Sequence, residues 1–579
     1  MHLVVEQDYA RYDEQDQAVW RFVVMQTHSR LLKTAHAAYG PGFEAVGIRP
    51  DRIARISEMN ERLGELGWSA VCVDGFIPPR AFQAFQAASV LPIAADIRTS
   101  GHLTYTPAPD IIHEAAGHAP FLAEPSYARF LRRIGEVGRK AFASPHDQAM
   151  YEAIYTLSEV KEDPSSTPDT IARAEQAFAK LAKQSSSLSV SEAAKLARLY
   201  WWTVEYGLVG SVSSPKLYGA GLLSSIGEGH FCLSPEVQKL PLCAECVNVP
   251  YDITRAQPQL FVAEDFGALS DVLDDVTQGL SQTVGGLSGL RVAQESGELA
   301  TLTLDCGLEV AGSVDQVLEQ QGEPSLISLK NEVTVAEDGA VLSQVPRVQE
   351  MLLPLGYCED GTPLCDLDTP AILRHVNHSG IFRLTTNSGI TITGRIAQTI
   401  ERSERVACLL LHDAYIRSSD AQLQQRTKLL PLVLATTIKS VSAGGPAGHE
   451  PPTQPSGQTV PKPHTLDEAQ LEMLTLYQRA LEAFNSLGGQ KLSAACAAII
   501  KRLDEAYPED WLLRFNVLES LTKAGEDAAL QGKLQHDLER LELRYAGREP
   551  IATGLAYVRA LAQSTPAVQD THDQEEHMQ

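Results

Sequence analysis

A change of pattern near residue 290 constrains the fold of this 579-residue chain more than any other feature. Before it, apolar residues recur at helical spacing, as at Ile53, Ile56, Met59 and Leu63. After it, stretches such as LATLTLDCGLEVAG and FRLTTNSGITITGRI alternate apolar and polar residues between turn residues, which indicates antiparallel strands. Because the chain is longer than one ordinary domain, the sequence predicts a mainly α first domain followed by a β-rich module.

A segment dense in Gly and Pro, SAGGPAGHEPPTQPSGQTVPKPH, offers little to bury and is typical of a linker. Helical spacing returns after it, and the His-, Gln- and acid-rich end is predicted to fray. The predicted divisions are a first domain over 1–288, a β-rich module of unknown role over 289–441, a linker over 442–464, a helical segment over 465–562 and a flexible tail over 563–579.

Charge and composition exclude several classes of protein. The chain carries 73 acidic and 48 basic residues, a formal net charge of -25, which would repel a phosphate backbone and excludes nucleic acid as a partner. No stretch approaches the roughly 18 apolar residues of a membrane span, so we expect no membrane partner and a cytoplasmic location. The nine cysteines agree with a reducing compartment. Cys243 and Cys246 lack a second pair at zinc-site spacing, which favours two ordinary thiols.

The segment YTPAPDIIHEAAGH places two histidines and a carboxylate in a short apolar stretch. Asp110 is predicted to cap a helix that carries His113, Glu114 and His118. A zinc protease needs its second histidine four residues after the first, where this chain has Gly117, which argues against a zinc hydrolase. The five-residue spacing is expected to offset the two imidazoles around an α-helix, so a metal would need a ligand from elsewhere. The alternative is that each histidine is a core residue bonded to the backbone.

A carboxylate in LARLYWWTVEYG could complete such a site. Glu205 follows Trp201 by about one turn, beside an apolar stripe at helical spacing. Because burying an unpaired charge is costly, a metal would explain this position, and pairing with a nearby basic group is the alternative. Two histidines and one carboxylate leave positions open for oxygen and suit non-haem iron(II).

Four segments in fixed order resemble the pterin-dependent aromatic amino acid hydroxylases: YTPAPDIIHEAAGHAPFL, YWWTVEYGL, YGAGLLSSIGE and QPQLFVAEDF. The resemblance covers roughly residues 60–285. It implies that the first domain is a catalytic domain with this family's fold, using iron(II), a tetrahydropterin such as tetrahydrobiopterin, and dioxygen as co-substrate. The implied reaction is hydroxylation of the ring of a free aromatic amino acid, with a separate enzyme to recycle the pterin.

The resemblance also implies roles for individual residues. Phe82 is expected to stack on the pterin ring, while Glu114 and Tyr200 are expected to be catalytic residues that contact the pterin. Arg98 matches the arginine that pairs with the amino acid carboxylate, a role that a bidentate guanidinium fork suits. The implied iron ligands are His113, His118 and Glu205. The other implied substrate-pocket residues are Tyr105, Thr106, Trp201, Gly221, Ser224 and Ser225.

Two pocket positions favour phenylalanine as the substrate and tyrosine as the product. Trp201 is bulky where tryptophan hydroxylases carry a smaller aromatic residue, and Ile253 is apolar where tyrosine hydroxylases carry an acid. Tyrosine and tryptophan hydroxylation stay open as alternatives, because pockets discriminate weakly against small additions. A non-catalytic binding module on the same fold is a further alternative. For the C-terminal half, the alternatives are self-association, ligand binding and tethering of a partner enzyme.

Overall fold

The computed structural model describes residues 3–75, 77–100, 103, 109–162, 166–185, 189–253, 255–402, 404–419, 423–446, 467–544 and 549–564. Up to Ser296 the chain folds mainly into helices. They are α1 (Glu14–Thr34), α2 (Tyr39–Ala45), α3 (Ile56–Leu63), α4 (Pro79–Ala87), α5 (Pro125–Gly138), α6 (Pro145–Glu162), α7 (Pro168–Ser185), α8 (Glu192–Tyr200), α9 (Ala220–Ser224), α10 (Glu228–Phe231), α11 (Phe266–Thr277), α12 (Ser281–Val284) and α13 (Gly286–Ser296).

Two small sheets accompany these helices. The first has the order β1-β2-β3, and the second has the order β5-β4-β7-β6. Their strands are β1 (Val4–Val5), β2 (Ser69–Val73), β3 (Val90–Ala94), β4 (Leu208–Ser211), β5 (Ser214–Leu217), β6 (Gln238–Pro241) and β7 (Gln259–Ala263). Strands β2 and β3 are parallel and α4 connects them. Pro79 starts α4 at a position where the missing N–H group has no helical partner to lose.

Two turns of the helical part have π geometry, at Ile112–His118 and Trp201–Glu205. The second continues directly from α8, and α9 packs against the first. These turns carry the residues that the sequence singled out as metal ligands.

The predicted β-rich region is confirmed. Its strands are β8 (Leu299–Leu304), β9 (Leu308–Gln320), β10 (Glu323–Glu337), β11 (Ala340–Val341), β12 (Val348–Pro354), β13 (Phe382–Thr385), β14 (Thr391–Arg402), β15 (Arg405–Arg417), β16 (Gln424–Val433) and β17 (Ile438–Ala443), with the short helix α14 (Thr369–Arg374) between β12 and β13. One sheet has the order β11-β10-β9-β8-β17, with β12 also paired to β10, and the other has the order β13-β14-β15-β16. The ladders are antiparallel, as the alternation predicts.

The β-rich region packs against the helical part. Phe142, which follows α5, is buried in the same apolar cluster as strand residues of the β-rich region. The backbone N–H of Ala443 donates to the carbonyl of Lys140 at 2.9 Å. Helix α13 lies against β9 and β17.

The helical C-terminal end is also confirmed. It consists of α15 (Glu468–Ser486), α16 (Gly489–Ala506), α17 (Leu512–Ala524), α18 (Ala528–Arg544) and α19 (Glu549–Ser564). Helices α15, α17 and α19 contact α1, and their apolar residues join the buried cluster of the first part. Most of the predicted linker, from 447, and most of the predicted tail, from 565, lie outside the described residues. No described helix is long and apolar enough to cross a membrane.

Candidate metal and cofactor site

Three side chains converge on one point between the two π turns. The Nε2 atoms of His113 and His118 lie 3.1 Å apart, and the Glu205 carboxylate lies 3.2 Å from the first and 3.3 Å from the second. Hydrogen bonds in a π turn connect residues five apart, so its geometry brings His113 and His118 to the same face. The expectation that the five-residue spacing would offset the two imidazoles assumed an α-helix and is therefore wrong.

A second carboxylate, that of Glu114, lies near the histidines. Donor atoms of His113, Glu114 and His118 all lie within 4.8 Å of one another, but the Glu114 carboxylate is 3.8 Å from His118 and so farther than that of Glu205. Burial raises the pKa of Glu114 to about 8. Burial also acts to raise the pKa of Glu205, but the two facing imidazoles outweigh it and hold that pKa well below its usual range. Glu205 is thus the better anionic ligand.

Ser224 fixes which nitrogen of His113 carries the proton. Its hydroxyl donates to the carbonyl of Ala220 at 2.8 Å and lies 3.1 Å from Nδ1 of His113. Since the single hydroxyl proton is directed to Ala220, the contact with His113 requires Nδ1 to carry a proton and donate it. The lone pair of the neutral ring is then on Nε2, which faces His118 and Glu205. The sequence placed Ser224 in the substrate pocket and gave no signal of this orienting contact.

Asp110, which the sequence predicted only as a helix cap, also binds the side chain of Arg98. Asp110 accepts from Nε and Nη2 of Arg98, both at 2.8 Å, and the Arg98 side chain is 2% exposed. Asp110 also accepts from the His113 backbone at 3.0 Å, which is the predicted capping contact. Burial acts to raise the pKa of Asp110, but Arg98 lowers it overall. The Nη1 group of Arg98 donates to the Ser224 carbonyl at 3.1 Å. Of the five N–H groups of the guanidinium, one on Nη1 and one on Nη2 are left on the Nη1/Nη2 edge after these bonds.

The indole of Trp201 is fixed between two aromatic rings. It stacks on Tyr251 at 4.3 Å and on Tyr206 at 4.5 Å, measured between ring centroids. Gly221 packs closely against this stack and leaves no room for a side chain. A Cβ atom at position 221 would lie 2.9 Å from the Tyr206 ring and 3.1 Å from the carbonyl oxygen of Glu205. Trp201 therefore has little freedom to move away from its position.

Other predicted pocket residues vary in their placement. The Ser225 hydroxyl accepts from the backbone N–H of Glu228 at 3.1 Å, and the Ser225 carbonyl accepts from the Arg30 side chain at 3.1 Å. Both contacts stabilise the backbone between α9 and α10. Tyr105 and Thr106 lie outside the described residues.

Two of the three residues predicted to contact the pterin, Phe82 and Tyr200, are in contact with each other. The rings of Phe82 and Tyr200 meet edge to face with centroids 5.8 Å apart. Tyr200 is 8% exposed, and burial raises its pKa well above the usual value. Its hydroxyl accepts from the Gln86 amide at 2.6 Å. Sequence reasoning missed Gln86, although a glutamine one turn after Phe82 and next to Phe85 is a polar residue on an apolar helix face.

Comparisons with known proteins assign the first part of the chain to a family. The family model described as "Biopterin-dependent aromatic amino acid hydroxylase" matches residues 6–151 and 171–285. The phenylalanine-4-hydroxylase of Mesorhizobium japonicum is 30% identical over 271 residues, which cover 46% of this chain and 81% of that protein. The Pseudomonas aeruginosa phenylalanine-4-hydroxylase is 29% identical over 263 residues, covering 45% of this chain and 82% of that protein.

A mammalian relative and a solved structure also match part of the chain. The phenylalanine-4-hydroxylase of Bos taurus is 33% identical over 263 residues, covering 44% of this chain and 48% of that protein. The crystal structure of Chromobacterium violaceum phenylalanine hydroxylase with bound iron(III) and 7,8-dihydrobiopterin is 26% identical, with a TM-score of 0.38, covering 48% of this chain and 85% of that one. By the family model and the bacterial relatives, this chain belongs to the biopterin-dependent aromatic amino acid hydroxylases.

Proposed function

We propose that this chain is an iron(II)- and tetrahydropterin-dependent monooxygenase that converts free phenylalanine to tyrosine. The observation that carries the proposal is the convergence of His113, His118 and Glu205 on one point. The Pseudomonas aeruginosa and Mesorhizobium japonicum relatives are phenylalanine-4-hydroxylases, and by its similarity to them this chain is a phenylalanine 4-monooxygenase-like enzyme.

The donor set fits a metal ion. Two imidazole nitrogens 3.1 Å apart repel each other through their lone pairs unless a proton or a cation lies between them. Two nitrogen ligands and one carboxylate on one face match the ligand set of non-haem iron(II) enzymes, which keep the opposite positions open. When bound, iron(II) and the reduced pterin supply the activation of dioxygen.

The protein residues bind and orient the reactants. Asp110 and the Ser224 carbonyl hold the Arg98 guanidinium in place, and the one N–H group left on each of Nη1 and Nη2 would bind the carboxylate of the amino acid. Phe82 offers a ring face for the pterin. One carboxylate oxygen of Glu114 is buried and has no hydrogen-bond partner among the described residues, so a pterin N–H group would satisfy it.

Phenylalanine is the substrate that these surroundings favour. Because Tyr206 and Tyr251 hold the Trp201 indole from both sides, the pocket cannot easily widen for a two-ring substrate. Ile253 offers no polar group to a ring hydroxyl. Tyrosine and tryptophan are the alternative substrates within the family.

Each part of the chain has its own role in the proposed function. We propose that 1–288 is the catalytic domain, mainly α in structure. Residues 289–441 would support it by packing against Lys140 and Phe142, and residues 465–562 by packing against α1. A separate enzyme would return the pterin to its reduced form, and the C-terminal half would provide the surface for any self-association. We place the protein in the cytoplasm.

A competition assay tests the substrate assignment. The iron-loaded protein would receive equal concentrations of ring-13C-labelled phenylalanine, unlabelled tyrosine and unlabelled tryptophan with tetrahydrobiopterin in air, and mass spectrometry would identify tyrosine formed from phenylalanine by its label. We expect tyrosine from phenylalanine to dominate. Preferred hydroxylation of another ring would contradict the pocket argument at Trp201 and Ile253, and iron binding with no product from any amino acid would favour a binding module.

A further inference from the structure

Helix α4 holds Tyr200 at two points. Phe82 and Gln86 are four residues apart and therefore lie on the same face of α4. The Phe82 ring contacts the Tyr200 ring edge to face, and the Gln86 amide donates to the Tyr200 hydroxyl at 2.6 Å. The same helix thus contacts both the ring and the hydroxyl of one tyrosine.

Gln86 occupies an unusual environment for a polar residue. Its side chain is fully buried, at 0% exposure, and its Oε1 atom has no hydrogen-bond partner among the described residues. Burying an amide without satisfying all of its groups costs free energy, and an apolar side chain of similar size would avoid that cost. The position therefore needs a reason other than packing.

The backbone of α5 confines the Gln86 side chain from behind. A Cβ atom at Gly135 would lie 3.0 Å from the Gln86 Cβ and 2.6 Å from the backbone nitrogen of Ala87. Glycine at 135 allows α4 and α5 to approach this closely. With α5 on one side, the Gln86 amide extends toward Tyr200 on the other.

Tyr200 in turn is connected to the metal site through the chain. It is the last residue of α8, and the π turn that follows it ends at Glu205. A shift of Tyr200 relative to α4 would therefore change the separation between the proposed pterin residue Phe82 and the proposed ligand Glu205.

We propose that Gln86 is a positioning residue for the hydroxylation reaction. By holding the Tyr200 hydroxyl, it fixes the separation of the pterin side and the metal side of the site. The inference rests on the proposed function, because it takes Phe82 as the pterin contact and Glu205 as a metal ligand. Its consequence is that pterin oxidation and ring hydroxylation stay coupled only while the Gln86–Tyr200 hydrogen bond is intact.

The hydrogen bond itself is tested without any cofactor, by a thermal unfolding cycle. Y200F would leave the whole Gln86 amide unsatisfied and is expected to lower Tm. Q86M keeps the length of the side chain and removes the amide, so the double variant Q86M/Y200F is expected to recover most of that loss. Strictly additive Tm changes would show that the two side chains are not coupled and would overturn the proposal.

The positioning role is tested by the ratio of tyrosine formed to pterin oxidised. We expect Q86M to lower this ratio on the order of 3- to 10-fold, with iron content and the KM for phenylalanine unchanged. T522V is the matched control, because the buried Thr522 hydroxyl donates to the carbonyl of Leu518 at 2.7 Å on α17, in the C-terminal helical segment. The control should keep the wild-type ratio.

The two measurements separate the possible failures. If the Tm cycle shows coupling but Q86M keeps the wild-type ratio, Gln86 has a structural role only and the proposal is wrong. If the wild-type protein forms no hydroxylated product, the proposed function fails, while the Tm cycle still decides whether Gln86 holds Tyr200.

Discussion

Phe22, on the first long helix, packs edge to face against Phe515, near the other end of the chain, with ring centroids 4.8 Å apart. Trp511 contacts the same Phe22 ring at 5.0 Å. A Cβ atom on Gly554 would meet both phenylalanine rings, at 2.8 Å from Phe515 and 3.2 Å from Phe22. Because α1 also packs against α9 and the π turn with the histidines, the C-terminal helices complete the core that supports the site.

Removing the Phe515 ring should therefore destabilise the catalytic part. The ring is 3% exposed, and F515A would leave a cavity that costs about 3–5 kcal/mol. A denaturant titration followed by tryptophan fluorescence would detect a lower midpoint. L543A is the control, since Leu543 is 69% exposed and its truncation should change stability by no more than about 0.5 kcal/mol. Equal midpoints for F515A and L543A would contradict a core shared by α1 and the C-terminal helices.

The β-rich region contacts α4, the helix that carries the proposed pterin residue Phe82, through the carboxylate of Glu298. Glu298 lies 2.8 Å from Nη2 of Arg80, at the start of α4, and accepts from the Ala143 backbone at 3.1 Å. Both charged side chains are partly exposed, so the ion pair is worth at most about 1 kcal/mol. We expect E298Q to raise the KM for tetrahydropterin by no more than about 5-fold.

A matched control for E298Q exists in the same region. Glu319 pairs with Arg291 on the surface of the β-rich region, away from α4. E319Q should leave the KM for tetrahydropterin at the wild-type value. An equal rise in both variants would indicate a general effect of removing an acidic charge and would contradict a specific link through Arg80.

Substituting Arg98 should weaken binding of the amino acid. R98K keeps the charge but loses the planar fork, including one of the two hydrogen bonds to Asp110 and the edge proposed for the substrate carboxylate. A charge-assisted hydrogen bond contributes about 1.5–3 kcal/mol, so the KM for phenylalanine should rise roughly 10- to 100-fold. Steady-state kinetics would measure it, with R133K, at an exposed ion pair with Asp274, as the control. An unchanged KM in R98K would remove Arg98 from the substrate site.

Stability should depend on pH through Asp510, beside the interface with α1. Burial raises the pKa of Asp510 to about 6, with the Tyr477 hydroxyl 3.4 Å away. Since the folded state then binds more protons than the unfolded state between about pH 4 and 6, stability from this group falls as the pH rises through that range. D510N keeps the acceptor for the Leu513 backbone and removes the titration. Between pH 5 and 7, the Tm of D510N should fall less than the Tm of the wild type. The same dependence of Tm on pH in both proteins would contradict the raised pKa of Asp510.

Several parts of the fold and site could be read from the sequence. The alternation after residue 290 predicted β8 to β17, because antiparallel strands with one buried face require period-two patterning. The apolar stripe on α8 predicted that Glu205 would lie near a buried surface, and it meets both histidines.

Other features depend on contacts that a pattern does not encode. The π geometry of Ile112–His118 depends on how α9 and the neighbouring turn pack, so the five-residue spacing was misinterpreted. The contacts of Asp110 with Arg98 and of Ser224 with His113 join residues 12 and 111 positions apart. Likewise, an apolar face on α17 indicates burial without indicating that α1 is the partner.

In the proposed function, one iron ion held by His113, His118 and Glu205 is required for the hydroxylation. Metal-free protein would be titrated with iron(II) under nitrogen, and each sample would then be assayed for tyrosine formed from phenylalanine with tetrahydrobiopterin in air. Activity should rise linearly and stop at one iron per chain in the wild type, and E205A should bind little iron and form no tyrosine. Wild-type levels of iron and tyrosine in E205A would contradict the account.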